Sequence, residues 1–228
     1  MRTHASRLLL AAAGLALAAC SGGGGDASPP TQYAVSAALN HWFTGTASWA
    51  MSGTGSDGAS YTVTVSTAPT TAGPFPVDGT VAARSTQTFA IDRAGVPIGG
   101  VVQTLYFNSA SGAVVGLSYD DGSCASATSN TALPASAAVG DSGAQFSELD
   151  LDSCTANAAA VGTTVNRWSL ESDAGVVLMC WNLAAQDLSG VANGTQSVCV
   201  EIAADGTLGN RARYALSASG FAINARNY

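Results

Sequence analysis

The sequence predicts an all-β chain of antiparallel sheets, and three observations carry that prediction. Apolar and polar residues alternate with period two through most of the chain, the pattern of half-buried strands. Aspartate–glycine and glycine-rich turn signals such as "SDG", "DDG" and "ADG" punctuate those runs. Charged residues make up only 10% of the chain and lysine is absent, so the polar surface falls to Ser, Thr, Asn and Gln. A charged helical bundle is a poor fit to that composition.

The elements follow in order. "AVSAALNHWF" opens the body. Val35, Ala38, Leu39, Trp42 and Phe43 fall on one helical face, which predicts a short N-terminal helix. In "SYTVTVS", Tyr61, Val63 and Val65 face one way and Thr62, Thr64 and Ser66 the other. Strands are likewise expected at 85–91, 101–107, 113–119, 166–172, 176–183, 195–202, 212–218 and 221–225. Roughly nine to eleven strands result. They suit a sandwich or a half-barrel, and pattern alone does not choose. The segment starting at Trp49 is similar to the one around Trp168, and "FAIDRAGVPIGG" is similar to "VEIAADGTLGN". That suggests an internal duplication with halves at about 33–120 and 130–228.

Four cysteines lie in the body: Cys124, Cys154, Cys180 and Cys199. Three pairings are possible, and an even number in an exported chain makes two disulfides the default. Bonding Cys180 to Cys199 across an antiparallel pair puts Met179 opposite Val200 and Trp181 opposite Val198, all apolar and on one side. The opposite side is then mostly polar, and "AAQDLSGVANG" (184–194) is the loop. By elimination Cys124 pairs with Cys154.

The chain begins "MRTHASRLLLAAAGLALAAC". Arg2 and Arg7 form a basic start, and Leu8 to Leu17 an apolar run too short to span a bilayer as a helix. "LAAC", Leu17 to Cys20, resembles the lipobox of bacterial lipoproteins. The resemblance implies removal of residues 1–19 and diacylglyceryl and acyl groups on Cys20. More than one acyl chain is needed for a stable anchor. Residues 20–32, with four glycines and two prolines, read as a flexible tether. Ser21 follows the cysteine where an inner-membrane retention signal would have aspartate, so the resemblance implies the outer membrane, with periplasmic or surface exposure left open. The body, from "VSAALN" and "SGTGSDGASYTVTVS" through "LPASAAVGDSG" to "RWSLESD" and the Cys180–Cys199 segment, resembles secreted lipoproteins of high-GC Gram-negative bacteria. That resemblance implies a single all-β exported domain at 33–228 and brings no activity.

After such processing six arginines face fifteen carboxylates, a side-chain charge of −9. Nucleic acid is excluded as a partner, since it requires a basic patch; the membrane is reached through the lipid anchor. Chemistry-bearing motifs are few. "GDSGA" (140–144) resembles the nucleophile segment of trypsin-like serine proteases, which would cast Ser142 with His41 and Asp92. The second glycine and the proline expected after that serine are replaced by Ala144 and Gln145, and "GDSG" is also an ordinary turn. No catalytic constellation is expected, and no cofactor. "SELDLDSC" places Glu148, Asp150 and Asp152 on one strand face. A Cys124–Cys154 bond would bring Asp150 and Asp152 near Asp120 and Asp121, a weak candidate Ca²⁺ site; the alternative is a solvated face. Trp42, Trp49, Trp168 and Trp181 serve as core anchors or line an apolar groove. The leading expectation is therefore a membrane-tethered, non-enzymatic binding or envelope-structural protein. The alternatives are a carrier of an apolar or lipid ligand, and a hydrolase using Ser142.

Overall fold

The computed structural model describes residues 31–228. The proposed signal peptide, the proposed lipidation site Cys20 and almost all of the proposed tether lie outside the described residues. The chain runs β1 (Gln32–Tyr33), α1 (Val35–Thr44), β2 (Ala47–Gly55), β3 (Ser60–Pro74), β4 (Val81–Arg93), β5 (Val96–Phe107), β6 (Val114–Tyr119), β7 (Cys124–Asn130), β8 (Ala137–Ala138), β9 (Ser142–Leu151), β10 (Ala160–Asp173), β11 (Val176–Asp187), β12 (Ala192–Ile202), β13 (Leu208–Ala218) and β14 (Phe221–Arg226). Twelve of these strands close into one antiparallel barrel in the order β10-β11-β12-β13-β14-β2-β3-β4-β5-β6-β7-β9. The architecture is thus neither a sandwich nor a half-barrel, and one ladder of hydrogen bonds runs through both proposed halves. The small β1–β8 pair stands apart.

Closure depends on β14 meeting β2. Ala225 pairs with Gly53 and Ile223 with Gly55. A side chain at Gly53 has no room: a Cβ there would lie 1.8 Å from the carbonyl oxygen of Asn224. Tight hairpins join several strands. Ala94–Gly95, Ala174–Gly175 and Ser219–Gly220 all have positive φ at both positions, the turn whose twist matches antiparallel strands.

The barrel is chiefly apolar inside, and its outer face is largely polar, with exposed exceptions such as Ile98, Val102 and Val165. Trp49, Met51, Tyr61, Val63, Val65, Phe89, Leu105, Leu117, Val198, Val200, Tyr214 and Ile223 form one buried cluster. Outward positions carry small polar groups, as in the chain where Asn182 donates to Ser169 and accepts from Ser197. A barrel facing lipid would have the reverse pattern. No described helix is long and apolar enough to cross a membrane.

A ring of twelve strands is too wide for strand side chains alone to fill. The helix α1 plugs one end. Val35, Ala38, Leu39, Trp42 and Phe43 are its buried residues, as the periodicity predicts. Trp42 stacks on Trp49 from β2 at 5.3 Å and on Trp181 from β11 at 4.5 Å, so one side chain bridges two walls. The Trp42 carbonyl accepts from the buried Thr67 hydroxyl at 3.0 Å, which satisfies an orphan group of the last helical turn. On the solvent side, His41 Nδ1 donates to the Gly206 carbonyl at 2.9 Å.

Both disulfides form as expected, Cys180–Cys199 and Cys124–Cys154. The register around the first is the one the sequence implies, with Met179 opposite Val200 and Trp181 opposite Val198. Two details differ. The expected 184–194 loop is mostly strand, because β11 and β12 extend to Asp187 and from Ala192. The outer face of this hairpin is also less polar than expected: Val176, Leu178, Cys180 and Cys199 are buried, packed against Tyr228. Arg213 closes over that patch, with Nη2 3.4 Å from Cys199 Sγ and ion pairs to Glu171 and to Asp173.

Candidate functional site

Strand alternation decides what the barrel shows its interior. On β9, Phe146, Glu148 and Asp150 have one parity; Phe146 belongs to the central core, so the two carboxylates point inward as well. On β10 the inward set includes Thr164 and Asn166, which lie opposite Glu148 and Phe146 in the ladder. β11 contributes Trp181 and Leu183. β4 and β5 contribute Phe89, Gln87, Val101, Gln103 and Leu105.

Below the helical plug these side chains leave a cavity of about 200 Å³. Its roof is Trp42 and Phe43, and its walls are chiefly Phe89, Leu105, Leu117, Phe146, Trp181 and Val198. A few polar groups interrupt the apolar surface. Gln103 donates to Gln87 at 2.7 Å across the β4–β5 ladder. Asn166 donates to Oε1 of Glu148 at 3.2 Å. A second hollow of about 480 Å³ shares the wall residues Val101, Tyr119, Glu148 and Leu183 with the cavity and adds Asp121, Asp150 and Asp152. It lies toward the end of the barrel away from the helix, where the β6–β7 and β9–β10 turns fall. The combination of an apolar chamber, a few convergent polar groups and a wider mouth is typical of small-molecule sites.

Glu148 is the unusual member. It is 2% exposed. Its Oε2 has no hydrogen-bond partner, and neither does Nε1 of Trp181; these are the two such buried side-chain atoms among the described residues. An unsatisfied buried polar atom is costly, on the order of 1–3 kcal/mol, and each calls for an explanation. Burial pushes the Glu148 carboxyl up to about 8; the Asn166 hydrogen bond opposes the rise and the Asp150 charge adds to it. Burial also raises Asp150, against the 3.0 Å hydrogen bond from Thr164. The Tyr119 hydroxyl is raised well above its ordinary value, first by burial and then by the charges of Glu148, Asp150 and Asp121. No arginine or histidine lines either hollow.

The acidic residues of the sequence are thus partly brought together and partly put to other uses. Asp121, Asp150 and Asp152 line the mouth; Asp120 is not among its walls and lies exposed in the adjoining turn. Asp121 Oδ1 accepts from the Ser123 amide and hydroxyl at 2.9 and 2.6 Å. Asp152 Oδ1 accepts from the Ala159 amide at 2.9 Å. Among the described residues, the one set of three metal-type ligand atoms within 4.8 Å of one another is Glu171, Cys180 and Cys199, whose sulfurs are bonded to each other. The solvated face anticipated for Glu148 is corrected: it faces the core. The signal that finds it is Phe146, which shares its parity.

The "GDSG" segment is a turn. Gly140 has φ of +100°, and Asp141 Oδ2 accepts from the Ala138 amide at 2.8 Å. Ser142 opens β9 exposed, Asp92 sits on β4, and His41 is engaged with Gly206; among the described residues no hydrogen bond joins any two of the three. Of the four tryptophans, Trp42 and Trp181 line the cavity, while Trp49 and Trp168 pack in the core. Compared with family models, curated proteins and solved structures, the chain matches none of them.

Proposed function

We propose that this is a non-enzymatic binding protein of the bacterial outer membrane, tethered through a lipidated Cys20, that carries a small, largely apolar molecule inside its barrel. One observation carries the reading: the interior cavity, walled by aromatic and aliphatic side chains and continuous in its walls with a wider mouth. A purely structural envelope protein gains nothing from a hollow interior, because apolar volume its own side chains do not fill forfeits packing energy. Two disulfides fit an oxidising, exported setting. A carrier needs no reacting group, and the chamber holds no nucleophile paired with a base.

The test uses the full chain, extracted from envelopes in mild detergent and titrated with the uncharged fluorophore N-phenyl-1-naphthylamine. Saturable binding at one site is expected. Val101 lines both chamber and mouth, so Val101→Trp should weaken binding about tenfold or more by filling the passage. Absence of saturable binding, or indifference to Val101→Trp, overturns the reading. Mass spectrometry of intact protein checks the anchor: an uncleaved, unmodified N-terminus refutes it.

A further inference from the structure

We infer that the occupant of this chamber is a small organic cation, an amine whose aromatic or aliphatic body lies among Trp42, Phe89 and Trp181 and whose protonated nitrogen faces Glu148. The inference rests on the carrier reading and adds the ligand's chemistry. Its first support is Glu148 Oε2, a carboxyl oxygen fully enclosed in the barrel, lining the chamber and lacking any partner from the protein. A buried carboxyl in an apolar room is expensive and is kept where something completes it. In a low-dielectric site the partner of greatest gain is a cation that donates hydrogen bonds.

The second support is independent and concerns the way in. The mouth carries Asp121, Asp150 and Asp152, with no basic side chain in its walls or in those of the chamber. A cleft lined by one sign of charge concentrates the opposite sign and repels its own. Anionic amphiphiles such as fatty acids are therefore turned away, and a neutral molecule gains nothing from the three carboxylates. The third support is the aromatic lining, Trp42, Phe89, Phe146 and Trp181, since aromatic rings attract cations as well as apolar groups.

The titratable groups around Glu148 are Asp150 on its own strand, Tyr119 on β6 and Asp121 in the β6–β7 turn; the facing β10 residues Thr164 and Asn166 do not titrate. All three neighbours are acids, so none supplies the positive charge internally. With Glu148 protonated in the empty protein near neutral pH, entry of an ammonium ionises it. One proton leaves the carboxyl for solvent, and a charge-assisted N–H···O bond forms in the place of the O–H.

Three probes of nearly one size and different charge test this: 2-phenylethylamine, 2-phenylethanol and phenylacetate, titrated calorimetrically into the full chain at pH 7.5. The amine is expected to bind at least about tenfold more tightly than the alcohol, and phenylacetate more weakly than either. Repeating the amine titration in buffers of different ionisation heat should reveal proton release on binding. Glu148→Gln should lower amine affinity about tenfold or more and leave the alcohol unchanged. Equal or reversed ranking of amine and alcohol on the wild-type chain overturns the cation inference, whether or not the variant folds; an unchanged amine affinity in a folded Glu148→Gln does the same. The naphthylamine titration stands apart: if it saturates while the ranking fails, the carrier survives and the cation does not.

Discussion

Replacing Glu148 by Gln should make the ligand-free protein more stable at neutral and alkaline pH, and the amount follows from the burial of the carboxyl. In the unfolded chain this group titrates near 4.5; in the barrel burial pushes it up to about 8. Between those values the folded state holds a proton that the unfolded state has lost. Stability therefore falls as pH rises through that window, which is the sign for an acid whose folded value is raised. At about 1.36 kcal/mol per pH unit the penalty is on the order of 3 kcal/mol at pH 7, growing to nearly 5 kcal/mol above pH 8. Glutamine reproduces the protonated form at every pH, keeps an oxygen for Asn166, and removes Glu148's part of the slope; Asp150, which burial also raises, contributes with the same sign. Asp57, Asp121, Asp173, Asp187 and Asp205, held low chiefly by hydrogen bonds, contribute with the opposite sign. Their contribution is present above the ordinary carboxylate range and lost as pH falls below it, so it leaves the interval from 5 to 9 flat. The assay is equilibrium urea unfolding at 25 °C with disulfides intact, followed by tryptophan fluorescence and far-ultraviolet circular dichroism, from pH 5 to 9. The wild-type curve should converge on that of Glu148→Gln at the acid end and diverge below it toward alkali. Parallel curves would refute the reasoning, because they would mean that Glu148 ionises freely in the folded protein.

Other perturbations read other parts of the fold. Gly53→Ala should cost about 3 kcal/mol or more, or prevent folding, because the new methyl collides with the Asn224 carbonyl at the seam where the barrel closes; thermal unfolding measures it, and a drop of less than 1 kcal/mol would place the seam elsewhere. Trp42→Ala should cost about 3–5 kcal/mol and abolish much of the near-ultraviolet circular dichroism, since the indole is the helix's link to both Trp49 and Trp181. Replacing Cys180 and Cys199 together by Ala should lower stability by about 3 kcal/mol on the loop-entropy estimate, with 19 residues of separation; mass spectrometry of the non-reduced wild type should find both bridges and no free thiol.

The sequence makes the elements legible and the closure obscure, and the reason is range. Alternation such as Tyr61, Val63, Val65 is a local signal, and so is the helical face from Val35 to Phe43; both elements appear where their periods put them. The Cys180–Cys199 register is legible because a bond and a matched apolar face constrain it together. What makes the sheet a barrel is the pairing of Ile223–Arg226 with Ser52–Gly55. Those partners lie at opposite ends of the body, and neither segment carries a mark of the other beyond a glycine that tolerates close approach. The polar ends of β11 and β12 were hidden for a related reason. Gln186 and Asn193 look like loop residues, but in a closed ring each strand extends wherever its neighbours offer backbone groups, whatever the side chains.

The site was obscure in a more instructive way. Period two places Glu148, Asp150 and Asp152 on one face, and acids suggest that this face is wet. Phe146 two residues earlier argues the contrary, and the conflict is the signal: a strand in which an aromatic and a glutamate share parity must either expose the ring or bury the acid. Here the ring wins, as its larger apolar area dictates, and the carboxyl is carried inward to a place that the twelve-strand circumference and the single helical plug leave unfilled. A narrower barrel would have closed over Glu148, and a longer helix would have displaced it. Chamber and acid therefore have one cause, the mismatch between a wide ring and a ten-residue plug, and the binding function proposed above would use both.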